Sequence, residues 1–214
     1  MKVIAINGSP RKNWNTAQLL RQALKGAESA GAETELVNLY ELNYRGCISC
    51  FGCKRKGAAP CKCYMKDDLT PVLEKAHHAQ ALLLGSPIYF GDITGQMRCF
   101  LERLCFPAMT YDDYGKQLYN GRINAAFFFT MNVDDGFAQA YRPVFESNTG
   151  LLKRFGGRTE YYLATDTLQF EDYSKFQAGQ FDESAKRRRH EEQFPKDLEN
   201  AFEIGKRLVL SDGK

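Results

Sequence analysis

The sequence predicts a doubly wound α/β domain, a parallel sheet of five strands covered by helices on both faces. Short apolar runs alternate with longer stretches of helical periodicity along the whole chain. The first run, Val3 to Ile6, is apolar without interruption and ends in a turn, as a strand buried on both faces does. The 214 residues are 43% hydrophobic and 26% charged, enough apolar material for one sizeable core.

Taken in order, the first strand stops at Asn7-Gly8-Ser9-Pro10. A helix follows from Thr16 to Ala30, with Ala17, Leu19, Leu20, Ala23, Leu24 and Ala27 at helical spacing and Gly31 as its stop. Thr34 to Leu39 forms the second strand. A cysteine-rich insertion, about 44–66, interrupts the alternation. Asp67-Asp68 opens a helix that runs to about Ala76, with Pro71 tolerated in its first turn. Gln80 to Pro87 is the third strand, and Thr94 to Cys105 the next helix. Arg122 to Met131 is the fourth strand; Phe127, Phe128 and Phe129 within it are read as core. A helix over 136–154 and a fifth strand, Thr159 to Thr165, follow. The last helix is expected from Glu191 to Leu210, broken by Pro195. No internal repeat or dividing linker is visible, so 1–214 reads as one domain. Two long segments stand out: a polar insertion at 111–121, and an aromatic and charged excursion at about 167–194. Loops of that length are usually functional.

Several classes are excluded or disfavoured. A net charge of +3, without basic residues set among aromatics, does not suit nucleic acid. No apolar stretch reaches the length of a membrane span. The chain opens on a short strand without a signal peptide, so a cytoplasmic location is expected. The basic run Lys186 to Arg189, followed by His190-Glu191-Glu192, is expected to be a solvated helix face. His77 and His78 read as structural groups at a helix end. Cys99 and Cys105 read as buried packing residues, and Glu102-Arg103 as surface or interface contacts.

Two loops carry chemistry. Ser9 to Asn15 joins the first strand to the start of the first helix, where unpaired N–H groups and a partial positive charge receive an anion. Ser9, Asn15 and Thr16 add donors and Arg11 adds charge. Neither the nucleoside-triphosphate loop nor the dinucleotide Gly-x-Gly-x-x-Gly fingerprint is present, so the loop suits a single phosphate monoester. The plainer alternative is an ordinary strand–helix turn with a threonine cap. The second loop, Pro87-Ile88-Tyr89-Phe90-Gly91, should lie beside the first, because strands one and three flank the point where strand order reverses. It offers an aromatic wall against which a flat heteroaromatic ring could stack, or simply a hydrophobic support for the core.

Together, NGSPRKNWNT and GSPIYFGDITGQMRCFLERL resemble the NAD(P)H-dependent FMN reductases of flavodoxin-like fold, in detail over the first half of the chain. The resemblance implies strand order 2-1-3-4-5, with FMN as cofactor and NAD(P)H as co-substrate. It implies that Ser9, Arg11, Asn15 and Thr16 hold the FMN phosphate. Pro87, Ile88, Tyr89, Phe90 and Gly91 would lie against the ring, with a backbone N–H near flavin N5. A third flavin loop would contribute Thr130 and Asn132, although this chain lacks the glycine-rich form usual there. No catalytic acid, base or nucleophile is implied. Electrons would pass to a quinone, free flavin, metal ion, dioxygen or iron–sulfur centre. A homodimer or homotetramer is expected, with the aromatic excursion crossing to a neighbour.

Five of the seven cysteines fall between Cys47 and Cys63. Cys47, Cys50 and Cys53 stand at two-residue spacing, with Cys61 and Cys63 following. Four thiolates from one compact loop suit an iron–sulfur cubane or a structural zinc. The pattern resembles the cysteine motif of iron–sulfur flavoproteins, in which a [4Fe–4S] cluster exchanges electrons with FMN. Either Cys61 or Cys63 could be the fourth ligand. The alternative activity is electron transfer between protein partners; free redox-active thiols remain a third possibility.

Overall fold

The computed structural model of the protein describes residues 1–113 and 115–210; Tyr114, in the polar insertion, and residues 211–214 lie outside the described residues. The strands are β1 (Lys2–Asn7), β2 (Glu33–Asn38), β3 (Ala81–Tyr89), a short β4 (Asp92–Ile93), β5 (Ile123–Thr130) and β6 (Gly156–Ala164). The α-helices are α1 (Asn15–Ser29), α2 (Leu69–His77), α3 (Gly95–Cys105), α4 (Asp135–Ala138), α5 (Arg142–Gly150) and α6 (Glu183–Leu210). The parallel sheet runs β2-β1-β3-β5-β6, the flavodoxin-like order, and β4 pairs antiparallel with the end of β3.

Side chains alternate across the central strands, so each strand feeds two cores. Ile4, Ile6, Leu82, Leu84, Phe127 and Phe129 face α2, α3 and α5. Val3, Ala5, Leu83 and Phe128 face α1 and α6. The three consecutive phenylalanines are therefore all buried, with Phe127 and Phe129 stacked at 4.2 Å on one face. Helices α1 and α6 cross in backbone contact. A Cβ on Gly205 would stand 1.8 Å from the Ala23 carbonyl oxygen, and one on Gly26 would stand 1.9 Å from that of Phe202.

Two helices differ from expectation. The segment after β5 does not form one helix over 136–154. Pro143 begins a new helix in the first turn of α5, and 3₁₀ turns flank it. Helix α6 begins eight residues earlier than Glu191 and passes through Pro195 unbroken. Pro195 and Glu191, whose carbonyl loses its helical partner, both lie on the exposed side, where water can serve that carbonyl. Phe194 and Asp197 anchor the buried side.

Part of the excursion packs on itself. Phe170 stacks on Phe176 at 4.1 Å and meets Tyr173 edge-on at 5.1 Å. Tyr173 is buried, whereas Phe176 and Phe181 remain exposed. No helix among the described residues is long and apolar enough to cross a membrane.

Candidate functional site

The first loop is shaped by buried polar side chains. Asn7, at the end of β1, accepts from Ser9 N–H at 3.1 Å and donates to Asn38 Oδ1 at 3.0 Å. Gly8 N–H donates to the Gly85 carbonyl at 2.8 Å, binding the loop to β3. Gly8 has no room for a side chain, since a Cβ would meet Met97 at 2.9 Å. Ser9 Oγ accepts from Arg11 N–H at 3.1 Å, which leaves its own hydrogen to donate. Helix α1 then starts at Asn15 without a side-chain cap and without an acid in its first turn. Its leading N–H groups are thus left for an anion. Ser9, Asn15 and Thr16 are all buried.

The second loop is a hairpin. Tyr89 pairs with Asp92, and Phe90-Gly91 form a two-residue tip with φ of 51° and 85°. Phe90 is fully exposed and Tyr89 half-exposed. The hairpin base is fixed to the first loop. Thr94, the cap of α3, donates to the Gly8 carbonyl at 2.7 Å and takes a bond from Met97 N–H. Asp92 holds Arg98 through both carboxylate oxygens at 3.1 Å.

The structure brings Ser9, Arg11, Asn15, Thr16, Pro87, Ile88, Tyr89, Thr130 and Asn132 to the lining of one cavity of about 130 Å³. Phe90 and Gly91 stand outside that lining, at the hairpin tip. Thr16 Oγ1 and Thr130 Oγ1 share a hydrogen bond of 2.7 Å, so one of the two hydroxyl hydrogens remains uncommitted. No acidic side chain lines the cavity. At that volume it is too small for a whole flavin nucleotide but has room for a phosphate and the start of its chain. Buried donors without an opposing carboxylate fit a phosphate monoester.

Sequence reasoning missed the fourth wall. Thr167 and Gln169 also line the cavity. Trp14 Nε1 and Asn15 Nδ2 both donate to the Leu168 carbonyl, at 3.0 and 2.9 Å, and Arg11 Nη1 donates to that of Gln169 at 2.7 Å. Arg11 also stacks on the Trp14 ring at 4.1 Å. The available signal was position: Thr167 to Gln169 directly follow the carboxyl end of the last strand, where ligands of such sheets bind.

The structure does not show a cluster site at the cysteines. Among the described residues no three or more cysteine, histidine, aspartate or glutamate side chains are grouped closely enough for a metal ion. Cys47, Cys50, Cys53, Cys61 and Cys63 are therefore not assembled as a ligand set in this loop conformation, in which Ser49, Phe51 and Cys61 all have positive φ. Cys63 is turned inward, accepting from Arg103 Nε at 3.4 Å, while Cys50 is exposed. As placed, these residues do not fit a cluster. Burial pushes the Cys53 and Cys61 thiols up from the usual thiol range.

Arg103 is not a surface residue. It is 1% exposed and bonds Asp67 at 2.5 Å and the Arg45 carbonyl at 3.1 Å. Cys105 is buried as expected, but Cys99 is only half-buried, and its Sγ would stand 3.0 Å from a Cβ on Gly46. His78 Nδ1 lies 2.6 Å from the Glu74 carbonyl at the end of α2, and His77 packs between Tyr119 and Phe155, both structural roles.

Comparison with known proteins now decides the family. The family profile described as NADPH-dependent FMN reductase matches residues 1–152. The chain belongs to the NADPH-dependent FMN reductase family. Among curated relatives of this family member is an iron–sulfur flavoprotein of Methanocaldococcus jannaschii, 41% identical over 103 residues, 48% of this chain and 51% of that protein. The match thus spans about half the length of the relative. Among solved structures, an NAD(P)H:quinone oxidoreductase from Methanothermobacter marburgensis superposes with a TM-score of 0.67 at 17% identity, covering 97% of this chain and 96% of the other. An archaeal flavodoxin gives 0.50 at 14% identity, covering 100% of both. These two likenesses establish the flavodoxin-like fold of this FMN reductase family member.

Proposed function

We propose that the protein is an FMN-dependent oxidoreductase that uses reduced nicotinamide to reduce a second acceptor, such as a quinone, free flavin, metal ion, dioxygen or iron–sulfur centre. The observation that carries this reading is the acid-free cavity at the start of α1, where the Ser9 hydroxyl and the Thr16–Thr130 pair keep hydrogens to donate. FMN, when bound, supplies the redox chemistry. The chain's residues bind and orient it. Ser9, Asn15, Thr16 and the leading N–H groups of α1 hold the phosphate, with Arg11 adding charge. Pro87 to Gly91 present the platform for the ring, and Thr130, which pairs with Pro87 across the sheet, lines the cavity with Asn132. Thr167 to Gln169 cover the cavity and keep water from it. No side chain is assigned as acid, base or nucleophile.

A cytoplasmic location and assembly as a homodimer or larger belong to the same reading. All seven cysteines are unpaired, and the exposed rings of Phe90, Phe137, Phe176 and Phe181 suit a partner surface. The decisive experiment is mass spectrometry of the cofactor released from, or taken up by, the purified protein. FMN is expected; FAD, or no flavin affinity, refutes the reading.

A second reading is favoured by the relatives named iron–sulfur flavoproteins. Here the protein would carry electrons between protein partners. It requires the 44–66 loop to rearrange so that Cys47, Cys50, Cys53 and one of Cys61 and Cys63 converge. Anaerobic reconstitution with iron and sulfide tests it, read by visible absorbance and iron content. Loading of wild type that is lost in Cys50→Ser and in one of Cys61→Ser and Cys63→Ser supports it. No iron uptake by wild type rejects it and leaves the flavin reading intact.

A further inference from the structure

Lys186, in the basic run at the start of α6, is not a solvated residue. Lys186 is 8% exposed, and its ammonium donates to the Asn132 carbonyl at 2.9 Å, to Asn132 Oδ1 at 2.7 Å and to Asp166 Oδ1. Its neighbours reach the same two loops. Arg187 donates to the Glu171 carbonyl at 2.5 Å, and Arg189 to Asp135 at 3.3 Å and Thr165 at 3.4 Å. Asn132 and Asp135 follow β5; Thr165, Asp166 and Glu171 follow β6. Lys186 is the buried member of the run, and Arg188 is exposed.

These loops form one side of the cavity. Asn132 lines it, and so do Thr167 and Gln169, which come directly after Asp166. Asp166 has φ of 51°, the left-handed turn that sends the chain back from the end of β6 toward the first loop. A buried ammonium needs acceptors for its three hydrogens, and here all three come from the two loops. The converse also holds: without Lys186, the Asn132 side chain and the Asp166 carboxylate lose the cation that joins them.

We propose that Lys186 is a positioning residue of the cofactor site. It clamps the loop after β5 to the loop after β6, and so sets Asn132 and the Thr167–Gln169 wall at the spacing that receives the flavin phosphate and its chain. It acts through these residues, without contact with the flavin. The inference rests on the FMN reading.

The test titrates the flavin-free protein with FMN, following quenching of flavin fluorescence, and measures amide hydrogen exchange in the same proteins without flavin. Lys186→Met should weaken FMN binding about tenfold or more, the loss expected when hydrogen bonds to a charged group go. Asp166→Asn, which keeps the shape but removes the charge, should weaken it about threefold. Arg188→Gln makes the same charge change on an exposed residue and should stay within about threefold of wild type, less than the Lys186→Met loss. Exchange in Lys186→Met should quicken in 131–135 and 165–171 while the central strands stay protected. The proposal is overturned if Lys186→Met binds FMN as wild type does, or if Arg188→Gln loses as much. It is also overturned if exchange rises across the whole sheet and binding falls only with the folded fraction. Should Lys186→Met fail to fold, wild-type FMN affinity in Asp166→Asn overturns it. If wild type itself takes no FMN, the functional reading fails instead, and that result is distinct.

Discussion

Thr16 and Thr130, 114 residues apart in sequence, are joined by a hydrogen bond of 2.7 Å between their hydroxyls. The bond ties the first turn of α1 to the end of β5 and leaves one hydroxyl hydrogen for a bound anion. Thr16→Ala removes the hydroxyl in the first turn of α1 and its bond to Thr130, and Ser9→Ala removes the other hydroxyl. Each should lower FMN affinity by roughly one to two orders of magnitude, since hydrogen bonds to a charged group are worth about 1.5–3 kcal/mol. Riboflavin, which has no phosphate, should bind wild type and both variants almost equally. An equal loss for riboflavin would remove the phosphate from this cavity.

Phe90 occupies the left-handed region at a fully exposed hairpin tip, so it carries backbone strain without burying its ring. Phe90→Gly should therefore stabilise the flavin-free protein by about 1 kcal/mol, the penalty of a side chain in that region. It should also weaken FMN binding severalfold if the ring serves as part of the flavin platform. Urea denaturation and fluorescence titration measure the two effects separately. An unchanged urea midpoint would mean that the tip is unstrained.

The α1–α6 crossing leaves no space for a methyl group. Gly205→Ala puts a carbon against the Ala23 carbonyl, and the backbones must part. A loss of about 3 kcal/mol is expected, at the upper end for overpacking. Gly95→Ala is the control, because a Cβ there meets nothing within 4 Å. It should be neutral or slightly stabilising in a helix. Comparable losses in the two variants would contradict the packing argument.

Asp197 is buried on α6, where its Oδ1 accepts from Tyr162 Oη and Gln193 Nε2, each at 2.8 Å. Burial pushes its carboxyl above the usual carboxylate range despite these two bonds. The sign of the pH effect follows. A raised pKa means that the folded state holds the proton more tightly than the unfolded chain does. Its stability contribution is complete below the ordinary aspartate pKa, near 3.8, and is lost as pH rises through the folded value. Asp197→Asn should accordingly be more stable than wild type at neutral pH, with the difference vanishing in acid. Denaturant midpoints across pH 3.5 to 7 check this; a constant difference over that range would refute it.

Much of the architecture was legible because it is local. The unbroken apolar run of β1, the three phenylalanines of β5 and the helical spacing from Ala17 to Ala27 each report burial through periodicity over a few residues. The Asn7-to-Thr16 and Pro87-to-Gly91 loops were legible because chain connectivity places both at the carboxyl ends of adjacent strands. Pro195 misled, since its effect depends on which side of the helix faces water. Arg103 and Lys186 misled for the opposite reason: charged residues read as solvated from composition, and only their partners justify burial.

The sequence alone therefore determined the layers and the two loops that meet at the candidate site, consequences of short-range patterning and connectivity, while the strand order followed from the family resemblance. Tertiary structure decided what closes that site. The Leu168 and Gln169 carbonyls, 154 and 158 residues from Trp14 and Arg11, cover the first loop, and Lys186 binds the walls together. It also decided the place of Cys63, turned toward a buried guanidinium. The physical reason is that backbone carbonyls carry no sequence signature. A buried cation is tolerated only where distant segments supply its acceptors, and that matching exists only once the chain has folded.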